Sequence, residues 1–275
     1  MTLRSLLVAA TALAALSPAL AAAGETLDRV LSTGVLTGAS FDGYPPIAFL
    51  NENNEFDGFD IDVLEAIAER LGVETAIVTP SWEAQVAGNW AGRWDIAVGS
   101  MTPTAARAEV LDFPGIYYYT PAVFVVHEDS AVESVEGLSG LALGACAACS
   151  TEDYLNRDLV IDAIGVPAFD YVVQPGEIRT YESDGLAYDD LRLGDGVRLD
   201  AVLTNLPTAR EAIANGYPFR ILEPAVFYEP LAVAVDQGDP EFTAEIARII
   251  EELHADGTLS RLSEDWLGAD MTRPD

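Results

Sequence analysis

Arg107 is the residue whose surroundings most invite chemistry. It ends the stretch Ser-Met-Thr-Pro-Thr-Ala-Ala-Arg at 100–107. Basic residues are scarce, 14 against 45 acidic ones, and none of the 14 is a lysine. The loop Met-Thr-Pro-Thr leads into a predicted helix capped by Thr104, which puts Arg107 in a first helical turn. A cation there opposes the helix dipole unless an anion lies close. Its planar fork suits a carboxylate gripped by two parallel hydrogen bonds. A local salt bridge to Glu109 or Asp112 would also satisfy it, so the arginine alone leaves both readings open.

Cys146 and Cys149 are the only cysteines. In an oxidising compartment that spacing favours a disulfide, which would stiffen the loop entering a helix at Ser150. Redox and metal chemistry are the rivals. A redox pair belongs at a helix start in a thioredoxin-like fold, of which there is no other sign. A metal would need His127 and His254, both on ordinary surface elements, so no metal and no cofactor is expected. No Gly-x-Ser-x-Gly elbow, phosphate-binding Gly-Lys-Ser/Thr loop or His-Glu-x-x-His helix occurs. The acid pair Asp60/Asp62 reads as helix-cap residues near a surface rather than a catalytic dyad.

The elements that must position these residues alternate. Strand-length apolar runs fall at 34–40, 74–80, 94–100, 122–128, 140–145, 169–174, 199–204, 219–223 and 231–236. Between them, 60–72 places Val63, Leu64, Ile67, Ala68 and Leu71 on one helical face. Further helices are predicted over 150–165, opening on Ser-Thr with acids in the first turn, and over 240–257, opening on proline. Such alternation predicts an α/β fold with mostly parallel sheets. Ligands in such folds bind outside the carboxyl ends of strands, where 100–107 falls.

The first 23 residues carry Arg4, an apolar run, a Ser17-Pro18 break and small residues, the layout of a signal peptide. Cleavage is expected after Ala21 or Ala23, with no cysteine nearby to carry a lipid. About 250 residues then remain, enough for one large domain or two small ones. A formal net charge of −31 excludes nucleic acid and anionic membrane surfaces as partners.

Three segments together, 43–72, 100–113 and 262–268, resemble the family 3 extracellular solute-binding proteins, the periplasmic receptors of polar amino-acid ABC importers. The resemblance rests on Gly-Tyr-Pro-Pro, Gly-Phe-Asp-Ile-Asp, Met-Thr-Pro-Thr-Ala-Ala-Arg and Asp-Phe, and a terminal helix with a tryptophan near its end. It implies a two-lobe clamshell: 24–117 with 232–275 as lobe 1, 118–231 as lobe 2, and hinge crossings near 117–121 and 227–231. It implies an exported, periplasmic, monomeric binding protein rather than an enzyme, working with a small-molecule ligand and an inner-membrane ABC permease. By the same resemblance Tyr44 and Trp82 are aromatic walls, Ser100 and Thr102 hydrogen-bond the ligand, and Arg107 grips its carboxylate with Ser150 and Thr151. Asn205 stands where many members place an aspartate against the ligand's ammonium. A neutral residue there means that the charge comes from elsewhere, with Asp184 and Glu229 as candidates, or that the ligand's nitrogen is not a primary ammonium. The alternatives are a dehydratase-like enzyme on the same fold, with Glu229 as a conceivable acid, and an accessory protein of a periplasmic enzyme.

Overall fold

The computed structural model describes residues 24–163 and 166–273. The expected signal segment, 1–23, lies outside the described residues. The strands are β1 (Val35–Ala39), β2 (Gly43–Tyr44), β3 (Ala48–Leu50), β4 (Phe56–Asp57), β5 (Glu74–Val78), β6 (Ile96–Met101), β7 (Leu111–His127), β8 (Ala142–Cys146), β9 (Glu177–Tyr181), β10 (Ala201–Asn205) and β11 (Phe219–Asp236). The helices are α1 (Glu25–Thr33), α2 (Phe59–Leu71), α3 (Trp82–Val86), α4 (Ala105–Ala108), α5 (Ser150–Asn156), α6 (Asp184–Leu191), α7 (Leu206–Ala214), α8 (Pro240–Ala255) and α9 (Thr258–Leu267).

Eight strands run in the order β5-β1-β6-β11-β7-β10-β8-β9, and β2-β3-β4 form a separate small sheet. β1 lies parallel to β5 and β6, and β8 lies parallel to β9 and β10. These parallel pairings are what the alternation predicts, and their division into two halves is what the family resemblance implies. The long antiparallel pair β7 and β11 joins them.

The two long strands pass from one core to another. In β7, Tyr117 and Tyr118 belong to the core built on α2 and α8, whereas Ala122, Phe124 and Val126 belong to that of the other half. In β11, Phe227 packs in the second core and Leu231 in the first. The changeover on both strands is short and carries Pro121 and Pro230. Proline removes a ladder donor, which suits a strand that must change partners.

The apolar face of α2 buries Val63, Leu64, Ile67 and Ala68, as its spacing predicts. The Gly-Phe-Asp motif has a steric cause. Gly58 has φ +122°, and a Cβ there would lie 2.5 Å from the Ile47 carbonyl oxygen. Only glycine lets the chain turn so tightly into α2.

The strand expected over 122–128 is part of the long β7, those expected over 219–223 and 231–236 are both parts of β11, and two further elements differ more. The strand expected over 169–174 is irregular chain. Its aromatic alternation serves packing: Phe169 and Tyr171 cluster with Tyr154, and the Val172 amide donates to the Tyr154 hydroxyl instead of a ladder. The strand of that region is β9. The helix expected over 150–165 ends at Asn156, where Arg157 turns left-handed at φ 64°. The chain after it reaches the other half: the Ala105 amide donates to the Val160 carbonyl and the Asp162 amide to the Pro103 carbonyl. Residues 164 and 165 lie outside the described residues.

The turn into β9 gives a stability test. A Cβ on Gly176 would sit 2.2 Å from the Gly140 carbonyl oxygen, a backbone atom with no freedom to yield. Gly176→Ala is expected to destabilise the protein by about 1–3 kcal/mol, read from the urea midpoint.

Candidate functional site

A cleft of about 470 Å³ lies between the halves, at the carboxyl ends of β1, β6, β8 and β10. All ten candidate binding residues line it; all but Tyr44, Ser100 and Asn205 are buried, and those three are half-buried.

Arg107 is only 6% exposed. Thr104 caps α4 by accepting from the Arg107 amide at 3.3 Å, which fixes the base of the side chain. The guanidinium donates to the Thr102 carbonyl at 2.8 Å and to the Ala148 carbonyl at 2.8 Å. Its Cζ lies 5.1 Å from the centre of the Trp82 ring. The local salt bridge to Glu109 or Asp112 does not form. Burial pulls the Arg107 pKa down to about 10, and the nearby Asp153 and Glu229 charges oppose that shift. A buried cation answered by carbonyl dipoles and an indole face keeps capacity for a bidentate anion.

Trp82 also donates its indole N–H to the Ala148 carbonyl, at 3.0 Å. One backbone oxygen between the two cysteines thus receives two side chains from the opposite half. Cys146 and Cys149 are joined as a disulfide. The bridge spans the loop, and Ala148 within it takes a left-handed φ of 57°. That conformation is unfavourable for alanine and aims its carbonyl across the cleft.

The hydroxyls of Thr102 and Ser150 both point at Glu229, at 2.9 and 2.8 Å. Glu229 forms no hinge salt bridge; it joins one hydroxyl from each half. Burial raises its pKa, and the two hydroxyl donors and Arg107 counter the rise. The Thr151 hydroxyl, also buried, has no partner among the described residues.

Opposite Arg107, Asp184 opens α6 but does not cap it; the Ser183 side chain does. Asp184 accepts from the Thr204 hydroxyl at 2.7 Å, and burial lifts its pKa to about 6 despite that bond. Asn205 donates through Nδ2 to the Tyr44 hydroxyl at 2.9 Å, so these two candidates meet across the halves. Phe41 bridges the aromatic walls, with its ring centre 6.1 Å from Tyr44 and 5.6 Å from Trp82. It lies two residues beyond the end of β1, a strand-end position at the cleft.

Ser100 takes a left-handed φ of 50° at the end of β6. Its hydroxyl is engaged below the cleft floor, donating to Asp60 at 2.9 Å and lying 2.7 Å from the Tyr118 hydroxyl. Asp60 is not a surface cap. It is fully buried and also accepts from the Tyr117 hydroxyl at 2.7 Å. Burial raises its pKa to about 7, against hydrogen bonds from Tyr117 and Ser100 that lower it. Nothing in the sequence separates this aspartate from its neighbour Asp62, which takes the Trp266 indole N–H near the surface.

His127 and His254 make no metal site: His127 Nδ1 accepts from the Asp129 amide, and His254 Nε2 meets the Ile116 carbonyl. Among the described residues no cluster of metal-ligating side chains occurs.

The sequence profile of the bacterial extracellular solute-binding proteins, family 3, matches residues 36–269. The chain belongs to that family. Its relatives include the L-cystine-binding protein TcyJ of Escherichia coli (strain K12), 26% identical over 250 residues, covering 90% of this chain and 88% of that protein. The L-arginine-binding protein of Pseudomonas aeruginosa is 26% identical, over 83% of this chain and 86% of that one. Among solved structures, the ancestral amino acid-binding protein AncCDT-1, a precursor of cyclohexadienyl dehydratase, superposes with a TM-score of 0.76 at 26% identity, covering 88% of this chain and 99% of the other. An ancestral arginine-binding protein bound to arginine gives 0.73 at 26%, with 86% and 99% covered. Family membership accords with a two-lobe α/β fold whose cleft lies between the lobes.

Two measurements probe this geometry. Asp60 has a folded pKa above its unfolded value, so its ionised form weakens the fold. Stability is therefore expected to fall as pH rises from the ordinary carboxylate range through about 7, and Asp60→Asn should flatten part of that slope in urea melts. Reduction and alkylation of Cys146 and Cys149 frees the Ala148 carbonyl from its fixed aim. Solute affinity in calorimetry should then drop about tenfold, since an ordered acceptor must be re-formed on closing.

Proposed function

We propose that this protein captures a small amino acid or amino-acid derivative between its lobes and delivers it to the inner-membrane permease of an ABC importer. It acts as a monomer in the periplasm, after cleavage at Ala21 or Ala23. Lobe 1 comprises 24–117 with 232–275 and lobe 2 comprises 118–231; 117–121 and 227–231 act as hinges. The observation that carries this reading is Arg107, buried on the cleft wall with no carboxylate in direct contact. Its partner is the carboxylate of the solute, with the hydroxyl of Thr151 free to donate beside it. Tyr44 and Trp82, with Phe41 between them, cover the body of the solute, while Ser100 and Thr102 shape the floor. Binding closes the hinges because the solute touches both lobes at once.

The relatives named as binding proteins support this reading over an enzyme. AncCDT-1, described as a precursor of a dehydratase, is itself named an amino acid-binding protein. A dehydratase would need a general acid presented to its substrate. Glu229 is the buried candidate, and both its oxygens are occupied by the Thr102 and Ser150 hydroxyls.

A thermal-shift screen of amino acids, betaines, opines and other small carboxylates tests the reading. A carboxylate-bearing solute at about 100 times its Kd should add roughly 2.7 kcal/mol and raise Tm by several degrees. Arg107→Ala should lower its affinity by about 30-fold or more, because a desolvated charge pair loses one partner. A panel without any Tm shift, or an unchanged affinity in the variant, contradicts it.

A further inference from the structure

The acceptors opposite Arg107 are arranged for a cation. Asp184 is 7% exposed and lines the cleft. Its Oδ2 accepts from Thr204, whose oxygen in turn lies 2.9 Å from the Tyr188 hydroxyl. Its Oδ1 is buried and has no donor among the described residues. The next residue along β10, Asn205, spends its Nδ2 on the Tyr44 hydroxyl, and its Oδ1 is likewise buried without a donor. Two oxygens, one of them on a carboxylate, thus lack donors on one wall of the cleft. A buried acceptor without a donor is costly, and a ligand donor relieves it.

Glu229 does not compete for this part, because each of its oxygens already holds a hydroxyl. No arginine among the described residues forms a salt bridge with Asp184. The mouth adds Asp42, Glu83 and Glu182, all exposed, and among the described residues Arg107 is the only basic one of the lining. That field draws in cations and repels dianions.

We propose that Asp184, rather than the residue at position 205, is the counter-ion of the ligand's ammonium group, with the Asn205 side-chain oxygen as its second acceptor, and that the cleft selects amino compounds of neutral or positive net charge. The neutral asparagine at 205 is then no loss of the cation grip. The charge has moved one hydrogen bond away, from the end of β10 to the start of α6, with Thr204 linking the two. A salt pair with an arriving ammonium also removes the pressure that holds the Asp184 carboxyl high. The proposal deepens the amino-acid reading above, and matched ligands separate the two.

The probes are L-arginine, its decarboxylated amine agmatine and its desamino acid 5-guanidinopentanoate, with the corresponding sets for L-glutamine and L-histidine. Calorimetry on the wild type should show at least one amino acid bound about 30-fold or more tighter than its desamino acid, and L-glutamate not bound. Asp184→Asn should erase that preference while changing affinity for the desamino acid by no more than about threefold, and adding Asn205→Asp should restore most of it. A desamino acid bound as tightly as its amino acid overturns the Asp184 assignment and leaves the Arg107 grip standing. Binding of amines without any amino acid sinks the carboxylate grip and leaves Asp184 standing. A preference unchanged in Asp184→Asn, or no amine-bearing compound bound at all, contradicts the proposal. Should Asp184→Asn fail to fold, the wild-type ratios decide.

Discussion

Everything in the cleft turns on one buried guanidinium. Arg107 comes out of water at the junction of two halves, and its charge is met by two backbone carbonyls, one from each half. An uncompensated buried charge is among the costliest features that a fold can contain. Thr104 fixes where the arginine starts, Trp82 covers its face, and the Cys146–Cys149 loop presents the Ala148 oxygen to it. Through the Ala148 carbonyl this arrangement links the two halves across the cleft.

The cleft is polarised as a result. A cation sits at the Ala148 end and a carboxylate with a spare oxygen at the β10–α6 end. The aromatic rings of Tyr44, Phe41 and Trp82 line the same cleft. A zwitterion fits such a field in one orientation. Glu229 sits on β11 and ties a hydroxyl of each half to itself at the cleft floor.

Much of this was legible in the residues. Alternating apolar runs predicted the parallel pairings, and Thr104 was readable as the cap that sets Arg107. Position 205 was recognisable as a departure only through the family resemblance, which implies an aspartate there. What escaped was decided by tertiary contact. The Ala148 carbonyl carries no side-chain signal, although it receives two lobe-crossing bonds. Asp60 and Asp62 look equivalent in sequence, yet one is enclosed by Tyr117 and Ser100 and the other faces Trp266. Phe169 and Tyr171 alternate like a strand because both pack on Tyr154, and that packing took the segment out of the sheet.

On our proposal the solute lies between Arg107 and Asp184 with its carboxylate and ammonium ends apart. A crystal structure with a bound amino acid tests it most directly. The carboxylate is expected within hydrogen-bond distance of the Arg107 guanidinium and the ammonium within hydrogen-bond distance of Asp184 Oδ1. A solute bound in the reverse sense, or one whose ammonium contacts Glu229 while Asp184 keeps only Thr204, would contradict it.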